Sequence, residues 1–220
     1  MQHRQHRLGP VVAGILALAL WAGAGHARGE RSGDFDYYVM ALSWSASWCA
    51  ETGDARDSPQ CDTGRGHGWV LHGLWPQYDR GWPSYCPTTA RPPSRSMTAD
   101  MADIMGTGGL AWHQWRKHGV CTGLTARQYF DLSRRAYNSI TRPAAFRRLP
   151  RAVQIDAQVV EDAFLADNPT LRGDGVTVTC QSGRIAEVRI CLSDDLTPMT
   201  CGRDVRRDCA MSDALFPPMR

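Results

Sequence analysis

Lysine is almost missing from this chain: Lys117 stands alone, although lysine and arginine together number 25. Cys-x-x-Cys pairs are also absent, which removes the usual signature of a structural zinc site. No acceptable Asn-x-Ser/Thr acceptor occurs, because Asn168 is followed by proline, a pattern that fits a bacterial product. There is no internal repeat, heptad or long linker. A large charge excess is lacking as well: 25 basic against 22 acidic groups give a formal net charge of +3, too little for wholesale electrostatic capture of nucleic acid. The one sustained apolar run, residues 11–24, follows a start that carries Arg4 and Arg7 and no acid, and it ends in small residues around Ala27. That is the pattern of a secretory signal peptide over residues 1–27, and the run is too short for a membrane helix. A secreted or periplasmic protein without stable membrane association is therefore expected. Loss of Arg4 and Arg7 with that segment leaves 23 basic against 22 acidic groups, a net charge of +1.

What remains, residues 28–220, suits one domain with a sizeable core. All eight cysteines lie in it, and an even number in an exported chain points to four disulfides, with 105 pairings open to sequence arithmetic. Residues 35–44 are apolar at both alternations, which predicts a strand buried on both faces; 69–74 is a second candidate. The β-branched runs 176–180 and 185–192 flank Gln181-Ser182-Gly183-Arg184 and predict an antiparallel hairpin. Apolar residues at helical spacing predict helices over 111–118, 125–140 and 158–167, with Gly119 and Pro169 as stops. The Pro/Ser-rich patch 88–96 reads as a surface loop. The expected fold is α+β: a central antiparallel sheet packed with helices and stapled by disulfides.

Three of the seven histidines fall within residues 1–27, leaving His67, His72, His113 and His118 in one third of the chain, together with Lys117. A compact ammonium kept beside a histidine, in a chain that otherwise uses arginine, points to a site that needs a point charge rather than a planar fork. At about 100° per residue, a helix through residues 112–118 places His113, Lys117, Gln114 and His118 on one arc of about 140°. Trp112 and Trp115 then project to the opposite side and into the core. A phosphodiester in RNA is cut by its own 2′-oxygen when one group removes that proton, another protonates the leaving 5′-oxygen, and cations stabilise the phosphorane. Two histidines and a lysine supply this set, and ordinary imidazoles near pKa 6.5 allow one neutral and one charged partner at mildly acid pH.

The segments Trp69-Val70-Leu71-His72-Gly73-Leu74-Trp75-Pro76 and Trp112-His113-Gln114-Trp115-Arg116-Lys117-His118-Gly119-Val120-Cys121 resemble the two active-site segments of the ribonuclease T2 family. The likeness extends through Phe35-Asp36-Tyr37-Tyr38, Asn168-Pro169 and the run Glu187-Val188-Arg189-Ile190-Cys191-Leu192. The resemblance implies a metal-independent endoribonuclease, without a cofactor, that makes 2′,3′-cyclic phosphates from single-stranded RNA and leaves DNA alone, working as a monomer. It implies His72 as the general acid, His118 as the base, His113 as a phosphate ligand, and Lys117 with Gln114 as stabilisers of the phosphorane. The family more often has glutamate where this chain has Gln114, an amide without charge or titratable proton. Trp75 and Trp82 match positions on which the family stacks a base, worth roughly 1–3 kcal/mol and tolerant of sequence. Gln77 stands where some relatives carry an acid that reads adenine, so no purine preference is implied. The same resemblance suggests the disulfides Cys49–Cys61, Cys86–Cys121, Cys180–Cys209 and Cys191–Cys201.

Two other readings compete. A metal-dependent phosphodiesterase would need ligands, yet His67/His72 and His113/His118 are spaced five apart where a helix face calls for four, and neither motif holds a carboxylate. A disulfide-rich binding protein on the same fold is the non-enzymatic rival; both catalytic histidines, whose loss would favour it, are present.

Overall fold

The computed structural model describes residues 30–220, so the expected signal segment lies outside the described residues. Strand β1 (Tyr37–Trp44) runs into a one-turn helix α1 (Ser45–Trp48), and β2 (Trp69–Gln77) follows a loop opened by a π-helical turn at Cys49–Gly53. Helices α2 (Arg95–Ala99), α3 (Ala102–Met105), α4 (Gly108–Lys117) and α5 (Ala126–Ser139) come next. Then follow β3 (Val153–Ile155), α6 (Ala157–Asp167), β4 (Val176–Gln181), β5 (Arg184–Leu192) and β6 (Ala214–Phe216).

The six strands form one sheet in the order β2-β1-β5-β6-β3, with β4 paired to β5. The expected antiparallel sheet is in fact mixed. β1 covers β5 only over Glu187–Leu192, and β6 joins beside the uncovered start of β5, parallel to it, through Arg184 and Leu215. A three-residue strand at the end of a long return carries no periodicity from which that pairing is readable. As expected, β1 is buried on both faces. Met40, Leu42 and Trp44 enter the main core, while Tyr37 and Val39 meet Cys191, Cys201 and Val205 on the other side. Trp44 stacks on Phe216 at 4.5 Å between ring centroids, which ties β6 to the sheet centre.

Helix α5 is closed by a capping box between Thr125 and Gln128 and buries Tyr129, Phe130, Leu132 and Ala136. The Tyr129 hydroxyl donates to the Leu74 carbonyl at 3.1 Å, pinning α5 against β2. Helix α4 begins three residues before the expected start, where the Thr107 hydroxyl accepts from the Leu110 amide. Of its two tryptophans Trp115 is 2% exposed and Trp112 39%, which corrects the expectation that both enter the core. The buried stripe is narrow, running Ala111, Gln114, Trp115, so Trp112 falls at its edge and Gln114 inside it. The helix also stops at Lys117, and His118 begins a tighter turn over Gly119–Cys121 rather than completing the arc. The disulfides are Cys49–Cys61, Cys86–Cys121, Cys180–Cys209 and Cys191–Cys201.

Candidate active site

His72 is the extra residue of a bulge in β2: Ala41 pairs with Gly73 and Leu42 with Leu71, leaving His72 unopposed. A bulge bends the strand and re-aims one side chain, here out of the regular ladder and into a cleft. The next residue must be glycine. A Cβ on Gly73 would lie 2.2 Å from Trp75 Nε1 and 2.3 Å from Gln114 Oε1, the two atoms that hydrogen-bond at 2.8 Å where α4 crosses β2. Gly119 answers a second close approach, since a Cβ there would meet the Trp115 ring at 2.4 Å. The sequence Gly73 to Trp75 and the pair His118-Gly119 are thus fixed by packing as well as by chemistry.

Trp75 is the centre of this arrangement. The His118 ring stacks on it at 5.3 Å with an interplanar angle of 26°, and the His72 ring meets it edge-on at 5.2 Å. The Cys86–Cys121 bridge and the hydrogen bond from the Tyr85 amide to the Lys117 carbonyl, 2.8 Å, fasten the Trp82 loop to the end of α4. All eight expected site residues line one cleft of about 240 Å³: His72, Trp75, Gln77 and Trp82 from β2 and its loop, His113, Gln114, Lys117 and His118 from α4 and its end. His67 does not line it. Gln77 is buried at its wall and Trp82, 54% exposed, stands at its mouth.

Charge in the cleft is arranged to keep one histidine neutral. Burial pushes the His118 pKa down to about 3, helped by the positive charges of Lys117, His72 and His113. Its Nδ1 is buried without a hydrogen-bond partner among the described residues, so a proton there would go uncompensated by them. His113 is lowered too, first by burial and then by Lys117, His72 and Arg116.

Three further side chains complete the surroundings of His72 and were not singled out from the sequence. His72 Nδ1 lies 2.5 Å from Glu187 Oε1, which also accepts from the Ser43 hydroxyl at 3.2 Å. Glu187 Oε2 accepts from Arg189 Nε at 3.0 Å and Nη2 at 2.8 Å. Burial raises the Glu187 pKa, but the His72 hydrogen bond and the charges of His72 and Arg189 outweigh it and bring it to about 2. The available signal was a charged pair two apart in a strand otherwise rich in buried residues, which puts both on one face.

Among the described residues, the trio of potential metal ligands drawn within 4.8 Å of one another is Cys49, Asp54 and Cys61, away from this cleft and with its two sulfurs joined to each other. No helix among the described residues is long and apolar enough to cross a membrane.

Fold and site together define a disulfide-stapled α+β domain in which a strand bulge and a helix end present paired histidines across a tryptophan. The sequence profile of the ribonuclease T2 family matches residues 35–201, and the chain belongs to that family. A ribonuclease from Aeromonas hydrophila is 43% identical over 123 residues, covering 56% of this chain and 54% of the relative. A probable ribonuclease from Haemophilus influenzae is 32% identical over 120 residues, covering 49% of this chain and 44% of the relative. The chain thus spans about half the length of these curated relatives. Among solved structures, RNase NT in complex with 5′-AMP superposes with a TM-score of 0.60 at 23% identity, over 84% of this chain and all of the other, and shares the fold.

Proposed function

We propose that this protein is an exported endoribonuclease that cuts single-stranded RNA with little base preference, by attack of the 2′-oxygen on the neighbouring phosphorus. The observation that carries the reading is the pairing across Trp75 of a histidine held neutral by burial, His118, with one whose Nδ1 is engaged by a carboxylate, His72. His118 takes the 2′-hydroxyl proton, the new O2′–P bond forms, the P–O5′ bond breaks, and His72 gives its proton to the departing 5′-oxygen. The product end is a 2′,3′-cyclic phosphate. Lys117 and His113 face the phosphate, and the Gln114 amide adds a neutral donor to the phosphorane oxygens. With one face of Trp75 occupied by His118, the exposed Trp82 is the freer platform for a base, and stacking without edge readout gives weak selectivity. No step requires a metal ion. The relative solved with 5′-AMP is consistent with a nucleotide in such a cleft. The test is incubation of purified protein with dinucleotides and RNA in EDTA: cyclic phosphate ends and undiminished rate are expected, and loss of activity in the chelator would point to a metal-dependent enzyme instead.

Position 114 offers a second test. A glutamate there keeps an oxygen for Trp75 Nε1 and adds an anion at the Nε1 edge of the ring on which His118 stacks. An anion within reach favours the imidazolium, and His118 acts as base only when neutral. Gln114→Glu is therefore expected to move the acidic limb of the kcat/KM profile to higher pH, and full profiles of both proteins on one dinucleotide will read it. A limb that stays in place, or moves to lower pH, would show that position 114 does not sense His118.

A further inference from the structure

Glu187 is a buried carboxylate that the reaction as written does not use. All of its hydrogen-bonding capacity is nevertheless directed at one purpose: Arg189 grips Oε2 through two nitrogens, while Oε1 accepts from Ser43 and lies against His72 Nδ1. A carboxyl group held ionised has no proton to give, so in this contact it accepts and His72 Nδ1 is the donor. With Nδ1 engaged, Nε2 is the nitrogen left for the cleft. The bulge that turns His72 out of β2 also frees its ring from ladder neighbours, so backbone geometry alone does not set the ring's rotation.

We propose that Glu187 is a positioning residue for His72: its carboxylate, braced by Arg189, holds the Nδ1 proton so that the ring presents Nε2 to the leaving 5′-oxygen. The inference rests on the reading of His72 as the proton donor. A purely structural Glu187–Arg189 pair would be satisfied by the guanidinium alone, and would have no reason to spend a buried oxygen on the edge of a catalytic ring. An amide in its place would lose the charge and, turned over, would donate to Nδ1 and impose the opposite tautomer.

The test compares two leaving groups. On a dinucleotide the 5′-oxygen needs a proton to depart, whereas the 4-nitrophenolate of uridine 3′-(4-nitrophenyl phosphate) leaves without one. Glu187→Gln should lower kcat on the dinucleotide by about 10–100-fold with KM changed less than about threefold, and on the nitrophenyl ester stay within about threefold of the parent. His72→Ala, measured alongside, should show the same split at larger amplitude. A His72→Ala defect that is equal on both substrates would overturn the reading of His72 as acid, and the proposal with it. A His72→Ala split without one in Glu187→Gln, whether that variant loses equally on both substrates or on neither, would overturn the role of Glu187 alone. Should Glu187→Gln fail to fold, Arg189→Met, which leaves the carboxylate in place but unbraced, is expected to give the same split more weakly, and its absence would count against the proposal equally.

Discussion

An oligonucleotide with 2′-deoxyribose at the single nucleotide whose 3′-phosphate is cut should give no product, while its all-ribose twin is cleaved. The expected loss is complete rather than graded, because the proposed mechanism makes the 2′-oxygen the nucleophile and gives no side chain of the cleft that role. In the proposed mechanism His118 has nothing to deprotonate when the hydroxyl is gone, and none of the other side chains that line the cleft, Lys117, His113 and Arg189 among them, supplies a nucleophile in its place. Binding should survive. The proposed phosphate contacts and stacking on Trp82 do not involve the hydroxyl, so the deoxy strand should compete with an inhibition constant near the KM of the all-ribose strand. Cleavage of the deoxy strand at a rate comparable to the RNA would end the transphosphorylation reading, and a deoxy strand that fails to compete would show that the cleft recognises the hydroxyl itself.

Much of this arrangement was legible in the residues, and the reasons are physical. Long periodic segments such as β1, the β4–β5 hairpin and α5 announce themselves because their burial is regular. The short pieces α2, α3, β3 and β6 do not, since each is five residues or fewer and is held by its neighbours rather than by its own pattern. Most of the site residues could be collected from two motifs, yet a helical projection misplaced Trp112 and did not show that Gln114, which lines the cleft as expected, is buried. It assumes that the buried side of a helix is where the large rings are, whereas α4 buries the Gln114 amide along with Trp115 and sets that amide against β2 at Gly73. Least visible was the partner of His72. Glu187 sits 115 residues away in sequence, and no local spacing records that β2 and β5, each antiparallel to the β1 that lies between them, bring it within hydrogen-bonding distance.

Replacing His118 by alanine should lower kcat by about 10²–10⁴-fold, the range that one positioned proton-transfer group supplies, and His72→Ala should do the same on dinucleotides. The two losses should not multiply in the double variant, because in the proposed reaction acid and base act in one transition state and removing either already forces water to take part. For His118 the environment sharpens the expectation. A base whose proton affinity is held down to about 3 is neutral throughout the mildly acid range, so the parent should retain kcat/KM well below the ordinary histidine range and the acidic limb should vanish, along with most of the rate, in His118→Ala. Stability gives an independent reading with its own sign. In the unfolded chain this imidazole takes a proton near pH 6.5, while in the folded protein it resists until about 3, so the unfolded state binds the extra proton and the native state loses stability as pH falls between those values. Alanine carries no such liability. His118→Ala, which gives up the stacking on Trp75, should melt below the parent at pH 7 and by a smaller margin, or not at all, at pH 4. A deoxy competitor that still binds the variant normally will establish that the cleft is intact and only the proton transfer is gone. Unchanged turnover in His118→Ala, or a melting deficit that widens toward acid pH, would mean that His118 is not the buried neutral base.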